Sequence, residues 1–223
     1  MNRQYNYYVK TKDHAFEDIN KVAKNTYFLL SLTILFSSLM SVISIKMGFK
    51  QINIFLYIII TFGLLFLIEL TKHTWYGLIM VFAFTGFLGF YLGPILKPFL
   101  STKNGQTMIS ISLLITGIIF LTLSMYVYIT KKDFNFLNGF IITGLIITLG
   151  LFIISFFIKT TLIQAVISGF IIMLSSSIIL YETSNILHDR EKNYISATIS
   201  LYLQIYNLFL SIISLLNIFS SKD

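Results

Sequence analysis

The sequence predicts an all-α polytopic membrane protein, a bundle of seven transmembrane helices. Three observations carry that prediction. First, the 223 residues are 56% hydrophobic and only 11% charged, more apolar surface than one soluble core of this size can bury. Second, seven uninterrupted apolar stretches each reach about 20 residues, the length that crosses a bilayer core. Third, the period-2 alternation of a barrel strand is absent. Helices then remain as the spanning element, because lipid offers backbone N–H and C=O groups no partner outside a helix or a closed barrel.

The chain opens with a polar, mixed-charge stretch, MNRQYNYYVKTKDHAFEDINKVAKN, over residues 1–25. It lacks the short apolar core and small-residue cleavage site of a signal peptide. It is expected to be a cytoplasmic N-terminal tail, with a short amphipathic helix near residues 16–22. The transmembrane domain is expected over 26–219, with spans at 26–46, 52–70, 75–96, 107–130, 137–158, 162–187 and 194–219, and residues 220–223 as a short external C-terminus. The segments KMGFKQ, TKHT, KPFLSTKNGQ, KKDFN, KTT and HDREKN separate the spans. Loops this short make neighbouring spans antiparallel. The tail carries Arg3, Lys10, Lys12, Lys21 and Lys24, and Lys72, Lys131, Lys132, Arg190 and Lys192 fall on the same side. Lys46, Lys50, Lys97, Lys103, Lys159 and Lys222 fall on the other. Basic residues concentrate in cytoplasmic loops, so ten against six predicts a cytoplasmic N-terminus in a bacterial inner membrane.

Composition also narrows the chemistry. The chain has no cysteine, which excludes disulfides, thiolate chemistry and cysteine zinc sites. His14, His73 and His188 are scattered, and no metal-ligand or phosphate-loop motif appears. A nucleophile, base and orienter cannot be assembled, so no enzyme, cofactor or metal is expected. The net charge of +7 belongs to membrane-flanking loops, since no basic patch interleaved with stacking aromatics points to nucleic acid.

Polar and small residues inside the spans are the informative ones. In the third span Ala83, Gly86, Gly89 and Gly93 recur every three or four residues, near one helix face. Such a face either admits a neighbouring helix closely or lines a cavity, and Pro94 bends or ends the helix. The sixth span carries Gln164, Ser168, Ser175 and Glu182; the seventh carries Ser200, Gln204, Asn207, Ser211 and Ser214. Both sets have helical spacing, and two adjacent polar stripes turn toward each other or the bundle interior. Glu182 lies about six residues before His188, roughly 9 Å into its helix, and Gln204 lies roughly 15 Å into the next. A carboxylate at that depth is protonated, hydrated or hydrogen-bonded, or else reaches the interface. Glu182 and Gln204 are therefore expected to form a buried polar pair, supported by Ser168, Ser175, Ser200, Asn207 and Ser211.

Several stretches are also familiar as a set. KNTYFLLSLT (24–33), FAFTGFLGFYLGPIL (82–96), ETSNILH (182–188) and NYISATISLYLQIYNLF (193–209) resemble the Bax inhibitor-1 (TMBIM) family, and within it the bacterial YccA branch. The similarity runs from about residue 20 to 219. The resemblance implies a seven-helix fold and two kinds of function. Proteins of that branch associate with the membrane AAA protease FtsH, as substrate and modulator, and with its HflKC partner complex. Others in the family are pH-sensitive calcium leaks gated by two acidic residues, on helices six and seven. The first acidic position falls on Glu182 within LYET, and the second falls on Gln204. Two facing carboxylates share a proton and titrate as a pair; a carboxylate facing an amide does not. The leading expectation is thus an FtsH modulator acting as a competing substrate. A calcium leak gated by Glu182 is the alternative, with calcium only a permeant ion, and a scaffold without transport is the third.

Overall fold

The structure, a computed structural model, describes the backbone of residues 2–220 and the side chains of 21–155 and 157–220. It contains seven helices: α1 (Asn2–Met47), α2 (Ile54–Thr71), α3 (Trp75–Leu100), α4 (Gly105–Thr130), α5 (Leu137–Phe157), α6 (Thr161–Leu187) and α7 (Tyr194–Ser220). No strand occurs among the described residues, and all seven helices are long and apolar enough to cross a membrane.

The ends of these helices follow from local chemistry. Asn53 accepts a hydrogen bond from the Phe55 N–H (2.9 Å), and Asn193 accepts from the Ile195 and Ser196 N–H groups (2.9 and 3.2 Å), each satisfying donors that a helix start leaves open. Gly48, with φ +65°, follows α1 directly, and Lys131, with φ +51°, ends α4 in the left-handed conformation that closes helices.

Two boundaries differ from the expected ones. α1 starts at Asn2, so the polar tail forms one continuous helix with the first span. α3 runs past Pro94 and Pro98 to Leu100. An interior proline removes a ladder bond and crowds the carbonyl four residues back, a cost that helices packed in a membrane tolerate because neighbouring groups satisfy the freed carbonyl. The helix closes instead where Thr102 Oγ1 donates to the Phe99 carbonyl (2.7 Å) and Ser101 Oγ to the Lys97 carbonyl (3.2 Å). Of the short C-terminal segment at 220–223, Ser220 ends α7 and the other three residues lie outside the described ones.

α7 is the central helix, packed against α1, α3, α4 and α6, and it carries the fully buried Ala197, Leu201 and Leu208. Tyr202 ties it to two neighbours. Its hydroxyl donates to the Thr85 carbonyl of α3 (3.3 Å) and lies 2.6 Å from Ser37 Oγ of α1. α2 packs on α3 and α5 on α6, leaving Phe55, Phe62, Phe66, Ile146 and Ile153 exposed. Lipid is as apolar as these side chains, so nothing drives them inward.

The α3 glycines pack against α1. A β-carbon at Gly89 would sit 2.2 Å from the Ser37 carbonyl oxygen. One at Gly86 would meet Phe36 Cε1 at 2.6 Å, and one at Gly93 would meet Ser44 Oγ at 2.5 Å. The glycine face is thus filled by α1. Ala83 is exposed and does not belong to it. The matching face of α1 is a ladder of buried small polar residues, Thr33, Ser37, Ser41 and Ser44.

Candidate functional site: a polar seam between α6 and α7

α6 and α7 run antiparallel, joined by the short loop 188–193, and pack along their length. Their polar stripes meet at two levels. Near the loop, Ser200 Oγ donates to Glu182 Oε1 (2.9 Å). Toward the far end, Ser168 Oγ donates to Ser214 Oγ (3.2 Å). The step from Glu182 back to Ser168 equals the step from Ser200 on to Ser214, as equal rise in antiparallel helices requires. That register puts Ser175 and Asn207 level with each other midway.

The same register corrects the expected direct pairing of Glu182 with Gln204. Ser200 stands at the level of the carboxylate; Gln204 stands one turn deeper, roughly 6 Å along the axis. The Gln204 amide donates to the Ser200 carbonyl in its own helix (3.2 Å). Ser200 thus joins the two residues, through its hydroxyl on one side and its backbone on the other. Gln204 is buried and Glu182 half-buried. Glu191, in the following loop, is a like charge whose field reaches Glu182.

Beyond Glu182 the end of the bundle is tied by contacts that sequence reading missed. Arg190 holds Asp133 of the α4–α5 loop through both carboxylate oxygens (2.9 and 2.5 Å) and donates from Nε to Asn185 Oδ1 (3.0 Å). Ser184 Oγ accepts from the Phe134 N–H (3.0 Å). Asn193 Nδ2 donates to the Lys72 carbonyl (3.0 Å), bringing in the α2–α3 loop. Thr198 Oγ1, of α7, is 3.3 Å from the Thr26 carbonyl of α1. Hydrogen bonds from Arg190, and then from the Asn135 N–H, lower the Asp133 pKa to about 2. The available signal was topological. An aspartate and an arginine lie in two loops that alternate connectivity puts at one end.

The stripes end on the opposite side in a cavity of about 490 Å³ between α5, α6 and α7, lined by Gln164, Ser168, Asn207, Ser211 and Ser214 together with Lys159. Of the expected supporting residues, Ser168, Asn207 and Ser211 face this cavity. Ser175 is buried between the ends, and Ser200 serves Glu182. Among the described residues no group of three or more histidines or carboxylates could hold a metal ion.

The seam lies in a chain whose residues 19–221 match the family described as "Inhibitor of apoptosis-promoting Bax1". The chain belongs to the Bax inhibitor-1 family. Among its relatives in that family is the Escherichia coli K12 protein named "Modulator of FtsH protease YccA". The two are 42% identical over 204 residues, covering 92% of both chains. The same identity and coverage hold for "Inner membrane protein YccA" of another E. coli strain. An uncharacterized Pseudomonas aeruginosa protein is 42% identical over 206 residues, covering 92% of this chain and 93% of its own. The seam and the loop knot thus sit within the residues that match the family.

Proposed function

We propose that the protein is an inner-membrane modulator of an FtsH-type protease, acting as a slowly consumed substrate. The observation that carries this reading is the 42% identity, over 92% of both chains, to a protein named as such a modulator. The physical proposal is competition. An ATP-driven membrane protease needs a segment it can unwind and grip, and the polar first part of α1 suits it. An isolated helix of such composition is marginal in water, whereas the bundle is packed and hydrogen-bonded. The protease would engage the tail readily and extract the bundle slowly. HflKC association and a non-enzymatic role belong to the same reading. Deleting residues 5–20 should leave the bundle inserted but lengthen its pulse–chase half-life, and should reduce co-purification of the protease from native membranes. An unchanged half-life, in cells where the protease degrades the parent, removes the tail from the mechanism.

A second reading, a pH-dependent cation leak, is favoured by one observation: two facing polar stripes that meet at two levels, with a carboxylate at one end, Glu182–Ser200. In this reading the carboxylate's proton closes the seam, and its loss admits water between α6 and α7. Glu182→Gln should then stay closed at every pH. Gln204→Asp should place a second carboxylate one turn deeper and raise calcium entry into proteoliposomes. Equal, negligible flux in the parent and both variants between acidic and neutral pH rejects the leak and makes Glu182 a packing residue.

A further inference from the structure

The two ends of the bundle differ in charge. Every carboxylate among residues 21–220 lies in or beside the α2–α3, α4–α5 and α6–α7 loops, or one to two turns inside them, as Glu182 does. The opposite end carries Lys46, Lys50, Lys97, Lys103 and Lys159 and no acidic residue among those described. The 490 Å³ cavity between α5, α6 and α7 opens at this end, and its size lies within the range of about 300–1,000 Å³ common to small-molecule sites.

Its lining is rich in unused donors. Ser211 is only 5% exposed, lines the cavity, and has no hydrogen-bond partner among the described residues. The amides of Gln164, exposed at the rim, and of Asn207, half-buried, also lack a partner among the described residues. A buried polar group without a partner costs free energy until water or a ligand supplies one. Lys159 forms no ion pair among the described residues and stands at the rim, beside the N-terminal end of α6, where the helix presents partial positive charge. The sign is decisive: an ammonium, two amides, several hydroxyls and a helix N-terminus suit an anion. No carboxylate lines the cavity to bind a cation. The walls are apolar, with Phe152 and Ile158 beside the polar floor, and both are exposed on the lipid side. A ligand with an anionic head and apolar chains fits both parts.

We propose that this cavity binds the phosphate-bearing headgroup of an anionic phospholipid, with Lys159, Gln164, Asn207 and Ser211 facing the head and the chains lying against α5. The site is independent of the protease and leak readings.

Native mass spectrometry of the full chain tests this, using micelles with equal amounts of phosphatidylglycerol and phosphatidylcholine of matched chains. The expected result is a retained phosphatidylglycerol adduct. Lys159→Gln should lower its preference roughly fivefold, the effect of one interfacial cation. Asn207→Leu should lower it too, while Lys103→Gln, on the same face but away from the cavity, should leave it intact. Millimolar inorganic phosphate should not displace the adduct; displacement would overturn the lipid assignment in favour of a free anion. Equal retention of both lipids, or no loss in Lys159→Gln, would overturn the proposal and leave a water-filled cavity. Should Asn207→Leu fail to fold, the exposed loop position 159 decides alone.

Discussion

At Glu182 the side chain that matters most is one residue type away from attention: a serine. Ser200 supplies the donor and Gln204 turns back on its own helix, so the polar pair is a relay of three groups on two helices. The residue with a titration consequence outside the membrane is Asp133. Its folded pKa of about 2 lies below the ordinary value of 3.8. A carboxylate depressed in this way stabilises the folded state at pH values above its unfolded pKa, and that contribution is lost as pH falls through the folded value. The window is therefore roughly pH 4 down to pH 2. Asp133→Asn should melt slightly below the parent at pH 6 in detergent, and the gap should close on acidification to about pH 2. Solvent screens this exposed pair, so added salt should narrow the gap as well. A gap that persists unchanged at pH 2 would show that the Asn variant disturbs something other than the ion pair.

At the scale of elements, the α1–α3 contact is set by what is missing from α3. Without β-carbons at Gly86, Gly89 and Gly93, the serine ladder of α1 approaches the α3 backbone itself. In lipid such close packing replaces the hydrophobic effect as the force between helices. Gly89→Ala would push a methyl against the Ser37 backbone carbonyl, which no rotamer change relieves, and should cost about 1–3 kcal/mol. Gly117→Ala in α4 is the matched control, since its β-carbon would meet nothing within 4 Å, and it should be neutral or slightly stabilising. Unfolding in mixed micelles reads both. Equal effects would mean that helix propensity rather than contact governs the α3 position.

At the scale of the whole molecule, seven crossings would put the two termini on opposite sides. From the basic count we propose a cytoplasmic N-terminus. A reporter fused after Asp223 should therefore signal from the external side. A cytoplasmic signal from a folded fusion would reverse the orientation. It would move the Glu182 end, with its Asp133–Arg190 knot, to the outside, beyond reach of a protease working from the cytoplasm.

The sequence by itself determined the fold class, all seven spans and the family, because each is written in local composition: apolar runs of bilayer length, short polar loops, and long ordered motifs. It also placed Glu182 and the stripes on the right helices, since helical spacing is a property of one segment. What it could not determine was register and partnership between segments. A shift of one turn between α6 and α7 decides that Ser200, and not Gln204, meets Glu182. Spacing along one helix says nothing about its offset against the next. Whether the α3 glycines line a cavity or admit a helix depended on the serine ladder of α1. The Asp133–Arg190 tie joins loops 57 residues apart. These were settled only by tertiary structure, because each is a relation between side chains that the chain brings together only when the bundle closes.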